Sequence, residues 1–250
     1  MPLEILWSDE NYVAVAKPPG LAVIPGRAED DCLLLRLAGQ LRLRWSGDAD
    51  PRLRLVHRID KETSGVVVFA TNRPAQQHLS HQFQNNRVHK EYLAIVVGAP
   101  PEDSGVVDAP IGHHPQDALR MMVTPHGRPA RTEWRVEQRF IGYTLLRVMP
   151  KTGKTHQIRV HLRHIGLPLA VDPLYGAQSD ASAGLYLSSF KRGYRPAGEG
   201  ERPLIARLTL HAEKLGFAEM CGRNVEICAP WPKDFRAAVN MLAKYAANRR

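Results

Sequence analysis

The 250-residue chain lacks any apolar run long enough to cross a bilayer as a helix. Its first residues, MPLEILWSDENY, carry acidic side chains where a secretory leader needs a basic start and an apolar stretch. Cysteine is scarce. Cys32, Cys221 and Cys228 make an odd count, and the spacing of the last two fits neither a C-x-x-C zinc pair nor a redox dithiol. These thiols are expected to be reduced and structural. Internal repeats and low-complexity tails are also missing. Together these absences predict a soluble cytoplasmic protein with no membrane partner.

What is present is enough apolar material for a core. At 44% hydrophobic composition, 250 residues can build one large domain or two small lobes, and disorder is not expected. Lys and Arg number 34 against 25 Asp and Glu, leaving +9 (34 − 25), so some face attracts polyanions. Charge alone does not select nucleic acid among them.

Short β-branched and aromatic runs bounded by Gly, Pro or Asn predict strands at 11–18, 65–70, 91–98, 143–150, 206–212 and 223–230, with a first strand beginning at Glu4 or Ile5. Helical spacing occurs at 31–43, where Leu34, Leu37 and Leu41 form a stripe, and after Pro74, where Leu79 and Phe83 lie four apart. A third helix is expected over 155–166, capped by Thr155, with Ile158, Leu162 and Ile165 on one side and Arg159 and Arg163 on the polar side. The C-terminal segment repeats Phe235, Val239 and Leu242 and ends in basic residues, as a surface helix does. Strands outnumber helices without strict alternation, which predicts an α+β fold with a mixed, largely antiparallel central sheet and flanking helices. Residues 99–131 and 176–203 read as surface insertions of loops and short strands.

Three segments carry chemistry. In HRIDKETSG (57–65), Asp60 sits beside Arg58 and near Lys61, His57, Thr63 and Ser64, and Gly65 permits an unusual backbone conformation. Neighbouring cations and donors keep such a carboxylate ionised, and an ionised, oriented Asp can attack an electrophilic carbon. A plain surface turn, with Asp60 pairing Arg58, is the other local reading. In RVHKEYLAIVVG (87–98), Lys90 and Tyr92 share one face at strand spacing. In PKTGKTHQIRVHLRHIG (150–166), Lys151 and Lys154 flank a Gly-containing turn before a helix; this is either a solvated basic face or a phosphate-binding helix start with Arg159 aimed at an anion.

At these residues the chain resembles the RluA family of RNA pseudouridine synthases. HRIDKETSG is similar to that family's H-R-L-D-x-x-T-S-G signature, with the volume-conserving Ile59 for Leu; KEYLAIVVG resembles its K-x-Y motif; and TGKTHQIRVHLRHIGLPLAVDPLYG resembles its third motif, with Lys154 where Arg is commoner. The resemblance implies the pseudouridine synthase catalytic fold in a single domain over 1–250; several family members carry a small basic RNA-binding domain ahead of it, and with the first strand beginning at Glu4 or Ile5 none is expected here. It implies Asp60 as nucleophile, attacking ribose carbon 1′ or the uracil ring, Tyr92 packed on the extruded uracil, and Arg159 paired with Asp60. Arg58 would fill the gap left by the flipped nucleotide. The further candidate RNA contacts are Lys90, Lys151, Lys154, His156 and Arg163, with Lys191 and Arg192 of the basic, aromatic KRGYRP segment. The expected partner is ribosomal or transfer RNA, the expected state a monomer, and no cofactor or metal is needed; the His113 and His114 pair lacks companion ligands at a recognisable spacing.

Two rivals make different predictions. A non-catalytic RNA-binding protein with the same fold would tolerate loss of Asp60. A hydrolase using Asp60 on a sugar or phosphate would need a second positioned carboxylate or a metal, which the three segments do not supply.

Overall fold

A computed structural model describes residues 2–26, 31–43, 53–176, 184–195 and 200–247. In chain order the elements are β1 (Glu4–Ser8), β2 (Tyr12–Lys17), α1 (Leu33–Gln40), β3 (Arg54–Leu55), β4 (Ser64–Ala70), α2 (Arg73–Gln84), β5 (His89–Val97), β6 (Ser104–Asp108), β7 (Ile111–His113), β8 (Met121–Val123), β9 (Arg131–Arg139), β10 (Tyr143–Pro150), α3 (Gln157–His164), β11 (Leu210–Ala218), β12 (Asn224–Cys228) and α4 (Lys233–Tyr245). They fall into two compact units, the first comprising 1–91 and 211–230, the second 92–210 and 231–250.

In the first unit β2 pairs antiparallel with β1 and β4, β3 pairs antiparallel with β4, β11 runs parallel to β4, and β12 folds back antiparallel on β11. β4 is buried along its whole length, which is why SGVVVFA reads as a continuous apolar run rather than an alternating one. Tyr12, Val66, Val68, Leu79, Phe217 and Ile227 form its core. Helix α2 begins where Asn72 Oδ1 accepts the Ala75 N–H at 2.9 Å, next to Pro74 in the first turn.

In the second unit β5, β10, β9 and β6 form antiparallel neighbours, and β7 and β8 make a separate hairpin. Period-two alternation sends Leu93 and Ile95 of β5 into one cluster with Phe235, Val239 and Leu242 of α4, and Ala94 and Val96 into another with Ile158 and Leu162 of α3. Both faces of the strand are thus covered, each buried Leu, Ile or Phe contributing about 2 kcal/mol. The expected α+β class with a mixed, largely antiparallel sheet is therefore what these pairings show.

Several boundaries differ from expectation. The strand expected at 206–212 starts at Leu210 and runs to Ala218; Thr209 instead bridges segments through its hydroxyl, donating to Ile95 O at 2.9 Å and accepting Val171 N–H at 3.2 Å. Strand β9, RTEWRVEQR, was not anticipated, because only Thr132 and Trp134 are buried among charged residues. The cap of α3 is His156, in the left-handed region at φ 55°, not Thr155. Ile165 is exposed rather than on the buried side, while Arg159, expected on the polar side, is buried. The 31–43 helix contracts to α1, burying Leu33, Leu34 and Leu37, with Leu41 at its C-cap. Residues 177–183 and 196–199 of the second insertion, and the basic 248–250, lie outside the described residues.

Candidate active site

Asp60 lies in the loop entering β4. The Thr63 N–H donates to its carbonyl at 3.1 Å, closing a turn, and buried Ile59 anchors the loop. The turn is gripped from beneath by Lys17, only 2% exposed, whose ammonium donates to Lys61 O at 2.7 Å and to Pro18 O and Leu21 O at 2.8 Å. Three carbonyls give a buried ammonium the partners it requires. Two residues past the turn, Gly65 has φ 126°, and a Cβ there would lie 2.0 Å from Ala212 O. Position 65 therefore admits only glycine, because β11 approaches too closely for a side chain.

The donors expected around Asp60 are mostly committed elsewhere. His57 Nε2 accepts the Val68 N–H at 3.0 Å, and its ring stacks on Phe83 at 4.7 Å. Burial, with the nearby Lys90 charge second, pushes the His57 pKa down from 6.5 to about 3, so the ring is neutral. Ser64 Oγ meets His211 Nδ1 at 3.0 Å, tying β4 to β11, and Thr63 Oγ1 is buried with no partner among the described residues. Arg58 is exposed.

In the second unit Tyr92 heads the paired part of β5, opposite Val148, and packs partly buried against the core that α3 covers. Lys90 precedes it by two residues, on the same face at strand period. Arg159 is 6% exposed and Asp172 2%. Nε and Nη2 of the guanidinium donate to the two Asp172 oxygens at 2.8 Å each, a bidentate geometry that lysine could not reproduce. This explains the burial of Arg159: a paired arginine can sit inside where a lone one cannot. The guanidinium also lies over the Tyr175 ring, 4.9 Å from its centroid.

The remaining cations separate by environment. Lys151 Nζ pairs with Glu133 at 2.8 Å. Lys154 forms no ion pair among the described residues, and its N–H donates to Gln157 Oε1 at 2.9 Å. Gln157 also accepts from Thr152 and donates to Arg131 O and Thr132 Oγ1, so one side chain closes the TGKT turn onto β9. His156 Nδ1 meets Tyr175 OH at 2.9 Å. Arg163, expected to meet phosphate, donates to Tyr175 O at 3.0 Å and Gly176 O at 2.6 Å. Lys191 lies over the rings of Tyr245 at 4.4 Å and Tyr194 at 5.1 Å, and Arg192 is exposed. His161 is buried between Thr132 Oγ1 and Ala109 O, both at 2.9 Å, and burial lowers its pKa. Asp172, Tyr175 and Lys17 were not singled out from sequence, although the first two lie inside the DPLYG end of the third motif and Lys17 inside AKPPG.

Residues 11–164 match the RNA pseudouridylate synthase family. The chain is 38% identical over 99% of its length to the ribosomal large subunit pseudouridine synthase D of Xanthomonas campestris pv. campestris, covering 71% of that protein. It is 46% identical to the protein of that name from Nitrosomonas europaea, over 72% of this chain and 51% of the relative. Among solved structures, human RNA pseudouridylate synthase domain containing 4 superposes with a TM-score of 0.69 at 26% identity, covering 96% of this chain and 92% of that one. Human RNA pseudouridylate synthase domain containing 1 shares the fold with a TM-score of 0.71 at 24% identity, over 92% of this chain and 84% of that one. The chain belongs to the RNA pseudouridylate synthase family.

Proposed function

We propose that this enzyme isomerises selected uridines of large-subunit ribosomal RNA to pseudouridine, with Asp60 as nucleophile. The supporting observation is the Asp60 turn itself: a carboxylate-bearing loop fixed by a buried ammonium and by a glycine-only strand contact, inside the 11–164 stretch that matches the family. A nucleophile held in this way needs little reorganisation before attack. Asp60 bonds to ribose carbon 1′ or to the uracil ring as the N1–C1′ bond breaks; the base turns, C5 bonds to C1′, the bond to the Asp60 carboxylate breaks, N1 takes up a proton and the C5 proton leaves. Tyr92 packs on the extruded base and assists that proton's removal, Arg159 steadies the Asp60 carboxylate, and Arg58 fills the vacated stack. The two compact units then act as one catalytic domain, monomeric and cytoplasmic, and the chemistry calls for no cofactor or metal. Lys90, Lys151, Lys154, His156, Lys191 and Arg192 are assigned to the RNA footprint; Arg163 is assigned there less directly, through the segment it holds. The large-subunit substrate follows the names of the relatives.

The test is release of tritium from RNA labelled at uracil carbon 5. Asp60→Ala and Asp60→Asn should reduce release to background while RNA binding survives. Wild-type release by a folded Asp60 variant would overturn the assignment in favour of a non-catalytic RNA-binding protein.

A further inference from the structure

Arg159 is held by more than its carboxylate. Asp172 fixes Nε and Nη2, which sets the direction of the side chain, while the Tyr175 ring lies against the guanidinium face and sets its plane. Tyr175 is itself restrained at both ends. Its N–H donates to Asp172 Oδ1 at 3.0 Å and its carbonyl accepts from Arg163 at 3.0 Å. At the far end of the ring its hydroxyl accepts the Met121 N–H of β8 at 2.7 Å and meets His156 Nδ1 at 2.9 Å. One hydroxyl, with a single proton and two lone pairs, thus serves both the Met121 amide and the His156 ring. The residue is 5% exposed and packs with Ile111, Ala130 and Val160. One tyrosine therefore joins the Arg159 guanidinium, the carboxylate that holds it, the left-handed start of α3 and the β7–β8 hairpin.

We infer that Tyr175 is a positioning residue for Arg159, with its hydroxyl coupling the seating of the β7–β8 hairpin and His156 to the plane of the guanidinium. This rests on the role given to Arg159 above. A core tyrosine serving packing alone would be replaced by phenylalanine at little kinetic cost, because the ring and its apolar contacts remain. A positioning tyrosine would not, because losing the hydroxyl releases one end of the ring, and displacements of about an ångström at a reacting centre cost up to roughly a hundredfold in rate.

The experiment measures kcat and KM for tritium release from in vitro transcribed large-subunit ribosomal RNA, alongside thermal melts, for Tyr175→Phe, Tyr175→Leu and Asp60→Asn. Expected results are a kcat about fivefold lower for Tyr175→Phe and about a hundredfold lower for Tyr175→Leu, with KM within about twofold of wild type. If Tyr175→Leu does not fold, Tyr175→Phe decides alone. Wild-type kcat in a folded Tyr175→Phe, or a loss confined to KM, overturns the inference while an inactive Asp60→Asn leaves the catalytic reading standing. Wild-type release by Asp60→Asn overturns both.

Discussion

The tightest constraints on the Asp60 turn come from single residues outside the candidate catalytic set. Gly65 pairs with Ala212 across the parallel β4–β11 contact at φ 126°, where a Cβ would meet backbone atoms and not the movable end of a side chain. Strain and clash then add, and Gly65→Ala should cost more than about 3 kcal/mol, read as a lower urea midpoint together with loss of tritium release. A midpoint within the usual scatter of surface substitutions would show that β11 can retreat. Lys17 makes the same kind of argument from polarity. Its buried ammonium serves three carbonyls, so Lys17→Met keeps the stem volume but strands those acceptors, at a cost of about 3 kcal/mol. Lys17→Arg should not rescue, because a planar fork cannot converge three donors where a tetrahedral ammonium does. An unchanged melting temperature for Lys17→Met would mean that water takes over the three acceptors.

At the scale of elements, what could be read in the sequence follows burial. β2, β4 and β10 were legible because apolar side chains dominate them, and α2 because Leu79 and Phe83 stand four apart after Pro74, as on one helical face. β9 was not, since it shows a charged face and only a short apolar stripe. Arg159 looked like surface for a similar reason: periodicity places residues on faces but does not reveal that Asp172, thirteen residues on, returns to neutralise one of them. The Asp60 turn was recognisable as a motif, yet the commitments of His57 to Val68 and Ser64 to His211 depend on contacts far along the chain. The start of α3 shows how such contacts sort a basic segment. Lys151 is already paired with Glu133, whereas Lys154 has no ion pair among the described residues, so the two should differ as phosphate ligands. Lys154→Ala is expected to lower the slope of log K against log salt for RNA binding by roughly 0.7 to 0.9, one lost phosphate contact, and Lys151→Ala by less. Equal slopes for wild type and Lys154→Ala would remove Lys154 from the footprint.

For the molecule as a whole, a formal charge of +9 favours RNA encounter but makes acid an adversary, because every further proton adds to self-repulsion. Two imidazoles sharpen this, one in each compact unit: half-buried His57, pushed to about 3, and buried His161, also lowered by burial. Each is neutral when folded and accepts a proton more readily when unfolded. Their contribution is therefore complete above the unfolded value of 6.5 and is lost progressively as pH falls toward the folded value, between about 6.5 and 3 for His57. From pH 7 to pH 5 the full linkage for His57 is about 2 kcal/mol, reduced to about 1 kcal/mol for a ring that keeps some contact with water. Glutamine can still accept the Val68 N–H but does not titrate in this range, so His57→Gln should start less stable at pH 7 and lose less on acidification. Urea unfolding at the two pH values measures the difference directly. Parallel losses for His57→Gln and wild type would mean that His57 titrates with the same affinity folded and unfolded, and that the acid sensitivity of the first unit lies in other groups.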